Sequence, residues 1–138
     1  MKLIKFGIAT LMMGVILISC SNATHVEKKE TTIDQVYRIL PDSSNVVLLD
    51  VRTNAEFNGE LGHLPGAILI PIQELEQRIG ELDSLKGREI IVYCRSGNRS
   101  GKVTEILTKH GFNARNMLGG MIAWNEKYGK PDADKIEK

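Results

Sequence analysis

The residues best suited to chemistry lie in Ile90-Ile91-Val92-Tyr93-Cys94-Arg95-Ser96-Gly97-Asn98-Arg99-Ser100-Gly101, an apolar run that stops at a cysteine and turns. Four β-formers followed by Ser, Gly and Asn describe a buried strand emptying into a tight loop. Beyond the loop, Val103, Ile106 and Leu107 recur at helical spacing, and Gly111 after His110 marks the stop. Backbone N–H groups of such a loop, with the unpaired donors of the helix start, converge on whatever sits at its centre and favour an anion there. If that occupant is the sulfur of Cys94, the same donors and the cations Arg95 and Arg99 lower its pKa and make it a thiolate nucleophile.

Elements that would position this loop can be read on either side of it. Thr32 and Gln35 fit a capping box, with Ile33, Val36, Tyr37 and Leu40 as a helical stripe ending before Pro41. Val46 to Leu49 is a continuous apolar run that ends on Asp50, as buried parallel strands do. Thr53 and Glu56 form a second capping box over a short helix to Phe57, and Gly59 to Gly66 is loop. Ala67 to Ile70 reads as a short strand. From Pro71 onward, Ile72, Leu75 and Ile79 predict a helix, followed by a turn to Gly87. Phe112 to Leu118 reads as the last strand, Gly119-Gly120 as a turn, and Met121 to Tyr128, with Trp124, as a closing helix. Strands alternate with helices throughout. The expected fold is therefore α/β, a mostly parallel central sheet with helices on both faces. Asp50 and Cys94, each ending an apolar run, would then share the carboxyl edge of the sheet, where sites of open α/β folds lie.

Composition bounds the rest. With 138 residues, one domain is expected, and 25% charged residues with a net charge of +1 point to neither nucleic acid nor a strongly acidic partner. Lys2 and Lys5, the apolar stretch Phe6 to Ile18 and Leu17-Ile18-Ser19-Cys20 have the order of a secretion signal over residues 1–19. The last four of these resemble a bacterial lipobox, which implies that Cys20 is lipidated and becomes the mature N-terminus. Residues 20–31 then read as a lipidated Cys and polar tether, residues 32–131 as the domain, and 132–138 as a polar tail. The localisation implied is exported, lipid-anchored to a bacterial membrane and facing the periplasm. Cys94 would be the sole cysteine left for chemistry, with no partner for an internal disulfide. His25 lies in the tether without a cluster of ligating neighbours, so no metal site is expected. The sequence is silent on oligomeric state.

Four blocks, in order, carry a family resemblance. They are Leu48-Leu49-Asp50-Val51-Arg52 with Glu56-Phe57, Gly62-His63-Leu64-Pro65-Gly66-Ala67, Tyr93 through Ser100, and Leu118-Gly119-Gly120-Met121 with Ala123-Trp124 and Pro131. Together they resemble a single-domain rhodanese, a sulfurtransferase, with Leu64 where the family usually has Ile. The resemblance implies that Cys94 attacks the outer sulfur of thiosulfate or a similar donor and becomes a persulfide. Cyanide or a thiol would then accept that sulfur. Arg95, Ser96, Gly97, Asn98, Arg99 and Ser100 would bind the substrate, their N–H groups holding the charge on the transferred sulfur as an oxyanion hole would. No cofactor is required by this scheme.

Other readings stand beside it. A cysteine phosphatase or arsenate reductase also places a Cys in an anion-binding loop closed by Arg, but its interval is one residue longer than the four between Cys94 and Arg99. A non-catalytic rhodanese-like module that binds a partner or senses sulfur species is a further alternative. Asp50 and Arg52 could be an ordinary strand-end ion pair, worth at most about 1 kcal/mol if exposed. The expectation is instead that both, with His63, support the site structurally, Asp50 by organising backbone donors. Arg95 could simply point to solvent, Arg99 could pair with a carboxylate behind the loop, and Trp124 is expected in the core.

Overall fold

A computed structural model describes residues 29–132. The expected signal, Cys20, most of the expected tether with His25 and most of the polar tail lie outside the described residues. Five parallel strands form one sheet in the order β1 (Glu30–Thr31), β5 (Asn113–Met117), β4 (Glu89–Tyr93), β2 (Val46–Asp50) and β3 (Ile68–Leu69). Between them run α1 (Ile33–Ile39), α2 (Asn54–Phe57), α3 (Leu75–Arg78), α4 (Asn98–Lys109) and α5 (Gly120–Tyr128). Both anticipated capping boxes form, Thr32 with Gln35 on α1 and Thr53 with Glu56 on α2. Among the described residues, no helix is long and apolar enough to cross a membrane.

The strand period of two sorts the sheet's side chains into two cores. Leu48, Ile91, Tyr93 and Met117 face one way and pack with Val36 of α1 and Met121 and Trp124 of α5. Val47, Leu49, Ile90, Val92 and Ala114 face the other and pack with Leu75 of α3 and Val103 and Leu107 of α4. Helices thus cover both faces, which is why β2 and β4 are apolar at nearly every position. β2 and β4 are neighbours in register, with Asp50 opposite Tyr93. That pairing sets the carboxyl ends of the two apolar runs side by side.

Two elements differ from the sequence expectation. Glu30 and Thr31, assigned to the tether, form the edge strand β1, with Asn116 N–H donating to the Lys29 carbonyl and Leu118 N–H to that of Thr31. A two-residue strand held by main-chain bonds carries no alternation to read. The segment after Pro71 is also not one helix: a 3₁₀ turn over Ile72–Glu74 leads into α3, which continues as a 3₁₀ run over Ile79–Leu85. Its apolar residues Ile79, Leu82 and Leu85 recur every three positions, the period of a 3₁₀ helix, and Gly80 weakens the α alternative.

Candidate active site

Cys94 follows β4 directly, and its side chain is almost wholly buried. Gly97, at φ +101°, reverses the chain and stands as the N-cap of α4 with no side-chain cap of its own. The sulfur takes that role: Gly97 N–H lies 3.1 Å from Sγ and the Ser100 hydroxyl 3.3 Å from it. The hydroxyl also lies 3.1 Å from the Gly97 carbonyl, so its one proton has two acceptors to choose between. Burial pushes the Cys94 thiol up, but the Ser100 hydroxyl and the N–H groups of Ser100, Ser96 and Gly97 outweigh it and bring the pKa below the ordinary thiol value. Of the donors that the start of α4 leaves unpaired, the Ser100 N–H is spent on the sulfur.

The last helix holds this loop from behind. Met121 N–H donates to the Cys94 carbonyl and Ile122 N–H to the Arg95 carbonyl, both at 2.9 Å. The start of α5 can come that close because Gly120 has no side chain. A Cβ there would stand 2.5 Å from the Cys94 oxygen and 2.7 Å from the Arg95 carbonyl carbon, and φ +56° suits glycine. With the two carbonyls drawn toward α5, the loop's N–H groups are left to the sulfur.

Beside the loop, Asp50 and Arg52 are both fully buried, not an exposed strand-end pair. The Asp50 carboxylate accepts the Arg52 main-chain N–H at 3.0 Å, Nε at 2.9 Å and Nη2 at 2.6 Å, and Nη2 also donates to the Gly62 carbonyl at 2.7 Å. The pair therefore ties the end of β2 to the loop containing His63. Leu64 N–H donates to the Tyr93 hydroxyl at 3.1 Å, tying the same loop to β4. His63 stacks on Phe57 at 3.6 Å, and its Nδ1 meets the Phe57 carbonyl at 3.0 Å, so it fastens its turn to the end of α2.

The other candidate residues divide by exposure. Arg95, Ser96 and Asn98 are exposed, whereas Gly97 and Ser100 are buried. Arg99 is half-buried and forks onto Glu56, with Nη1 2.8 Å and Nη2 2.6 Å from the carboxylate oxygens. Arg99 holds the Glu56 carboxyl down to about 2, while Glu56 raises Arg99 against its partial burial and the Cys94 sulfur raises it further. A cleft of about 290 Å³ opens beside the loop, lined by Arg52, Ala55, Glu56, Glu60, Leu61 and Arg95. Two contributors have roles at the site that the sequence does not assign. Glu56 reads as a cap and as part of a family block but not as the partner of Arg99, because the fork joins residues 43 positions apart. Gly120 reads as a turn within another family block, although the Gly119-Gly120 pair signals a close backbone approach. Among the described residues, no group of three or more His, Cys, Asp or Glu could hold a metal ion.

A parallel α/β sheet whose central strand delivers a thiol into a cradle of main-chain donors defines an α/β protein built around a cysteine loop. The chain belongs to the rhodanese-like domain family, whose profile matches residues 32–127. It is 37% identical over 93 residues to a protein of Allochromatium vinosum named sulfurtransferase, covering 67% of this chain and 82% of that one. It is 29% identical to the tRNA uridine(34) hydroxylase of Cytophaga hutchinsonii, covering 81% of this chain but 38% of that longer protein. Among solved structures, a rhodanese-like domain protein from Staphylococcus aureus aligns with a TM-score of 0.63 at 35% identity, covering 70% of this chain and 90% of the other.

Proposed function

We propose that this protein moves sulfane sulfur from thiosulfate or a similar anionic donor to a thiophilic acceptor, cyanide or a thiol, through a persulfide on Cys94. The observation that carries the reading is the cradle itself, in which a buried sulfur accepts from Gly97 N–H and lies within reach of the Ser100 hydroxyl. In the first step the Cys94 thiolate attacks the outer sulfur of thiosulfate. The new S–S bond takes the thiolate's electron pair, and the old one leaves with its pair as sulfite. Negative charge then rests on the outer sulfur of Cys94 persulfide, where the loop N–H groups from Arg95 to Ser100 stabilise it. In the second step cyanide attacks that outer sulfur and leaves as thiocyanate, returning the thiolate. An already ionised thiolate needs no general base, which suits a His63 engaged with Phe57. Arg95, exposed at the cleft, adds attraction for the anionic donor. The scheme calls for no cofactor, and the order of basic, apolar and lipobox-like residues before Cys20 supports an exported, lipid-anchored protein facing the periplasm.

The test is direct. The full chain in detergent micelles is incubated with thiosulfate, its intact mass is recorded, and thiocyanate is measured after cyanide is added. A gain of one sulfur that cyanide removes, absent in Cys94→Ser, is expected. If no sulfur is gained and a phosphate ester is hydrolysed instead, the reading is wrong.

A further inference from the structure

Glu56 does more than cap a four-residue helix. Its Oε2 lies 3.1 Å from the Thr53 N–H and hydroxyl, and that alone completes the capping box. The fork to Arg99 is additional, and it resolves a conflict. Arg99 is in the first turn of α4, where the helix dipole disfavours a cation. A carboxylate on both Nη atoms, at 2.8 and 2.6 Å, offsets that. Arg99 stands in the chain between Gly97 and Ser100, the two residues that donate to the Cys94 sulfur, and that sulfur favours its charged form. We propose that Glu56 is a positioning residue for the chemistry of Cys94, fixing Arg99 beside the sulfur as one half of a closed ion pair and so withholding a free cation from it.

The remaining charges around the sulfur leave this pair as the one with adjustable effect. Asp50 and Arg52, from the end of β2, are closed on each other. Arg95 is exposed on the loop, and the stretch of α5 from Gly120 to Asn125 that backs the loop carries no charged side chain. Two substitutions of Glu56 then act in opposite directions. Glu56→Gln keeps an oxygen for the guanidinium, so Arg99 stays and its charge, partly offset in the wild type, acts in full, and the thiolate is favoured. Glu56→Ala removes the anchor, Arg99 moves to solvent, and the thiolate is disfavoured.

The experiment follows the rate of iodoacetamide alkylation of Cys94 against pH in the full chain, reading the Cys94 peptide by mass spectrometry. The midpoint is expected to fall in Glu56→Gln and to rise in Glu56→Ala, each by roughly half a pH unit or more. A structural role alone would move neither, and a direct effect of the Glu56 charge on the sulfur would move both down. Either result, or a rise in both, overturns the proposal. Should Glu56→Ala fail to fold by circular dichroism, Arg99→Gln leaves the α2 cap intact and must raise the midpoint; no rise overturns the proposal equally. The inference rests on the sulfurtransfer reading only in taking Cys94 as the nucleophile, and alkylation involves no sulfur donor. Split midpoints without sulfur loading would sink that reading alone, whereas loading without split midpoints would sink this one.

Discussion

What surrounds the Cys94 sulfur lowers its pKa, and each donor has its own expected effect on reactivity. Ser100→Ala removes the hydroxyl 3.3 Å from Sγ. Since a hydrogen bond to a charged group is worth about 1.5–3 kcal/mol, the alkylation midpoint of Cys94 should rise by roughly one pH unit or more. The wild type should load sulfur faster as pH rises through the lowered thiol pKa and level off above it, because only the thiolate attacks. A profile climbing only around the pKa of an ordinary cysteine would show that the loop donors do not act on the sulfur. Cys94 and its loop were readable because strand, thiol, turn and helix are contiguous. The Arg99 partner was not, since nothing in the local pattern says which of several carboxylates a loop arginine will meet. Asp50 and Arg52 were readable as neighbours in sequence, but their complete burial depends on the loop that folds over them.

At the scale of elements, the site is a junction of α2, β4, α4 and α5, and its weak points are the contacts between them. Glu56 links α2 to α4, and its carboxyl is lowered from 4.5 to about 2 in the fold, chiefly by the Arg99 hydrogen bonds. A depressed carboxyl stabilises the fold above its unfolded pKa, and that contribution is lost as pH falls from about 4.5 toward 2. The thermal midpoints of wild type and Glu56→Gln should therefore differ near neutrality and converge on acidification over that interval. Gly120→Ala tests the junction of α5 with the loop. A methyl 2.5 Å from the Cys94 oxygen forces the two apart, so thiocyanate formation should fall at least about tenfold, about 1.4 kcal/mol of barrier, in protein that remains folded by circular dichroism. Retained activity would mean that the loop does not need this backing. Helix caps and strand runs were legible in sequence because they are local. β1 and the 3₁₀ run after α3 were not, the first because its bonds go to β5 and the second because its period shifts within one segment.

Across the whole molecule, the sheet separates two cores, and the placement of the Cys94 loop depends on both. The α4 core orients the start of the helix that donates to the sulfur, while the α1 and α5 core presses the backing helix onto the loop. Trp124 is 1% exposed and anchors α5 in the second core. Trp124→Ala should cost about 3–5 kcal/mol, measured by denaturant titration, whereas Trp124→Phe should lose much less. The alternation of strands and helices was enough to foresee two covered faces, because a continuous apolar run has to be buried on both sides. The order of strands across the sheet was not foreseen, because it is fixed by non-local pairing.

The bonds from Met121 and Ile122 to the carbonyls of Cys94 and Arg95 also bear on the order in which the loop is completed as the chain folds. A ribosome delivers Cys94 and its loop well before Gly120. Until α5 has docked, those two carbonyls lack their donors, and the Gly97 reversal and the start of α4 alone aim the loop at the sulfur. A chain that stops before Gly120 should therefore carry a Cys94 of more ordinary reactivity, with the lowered pKa expected only once the last helix has docked.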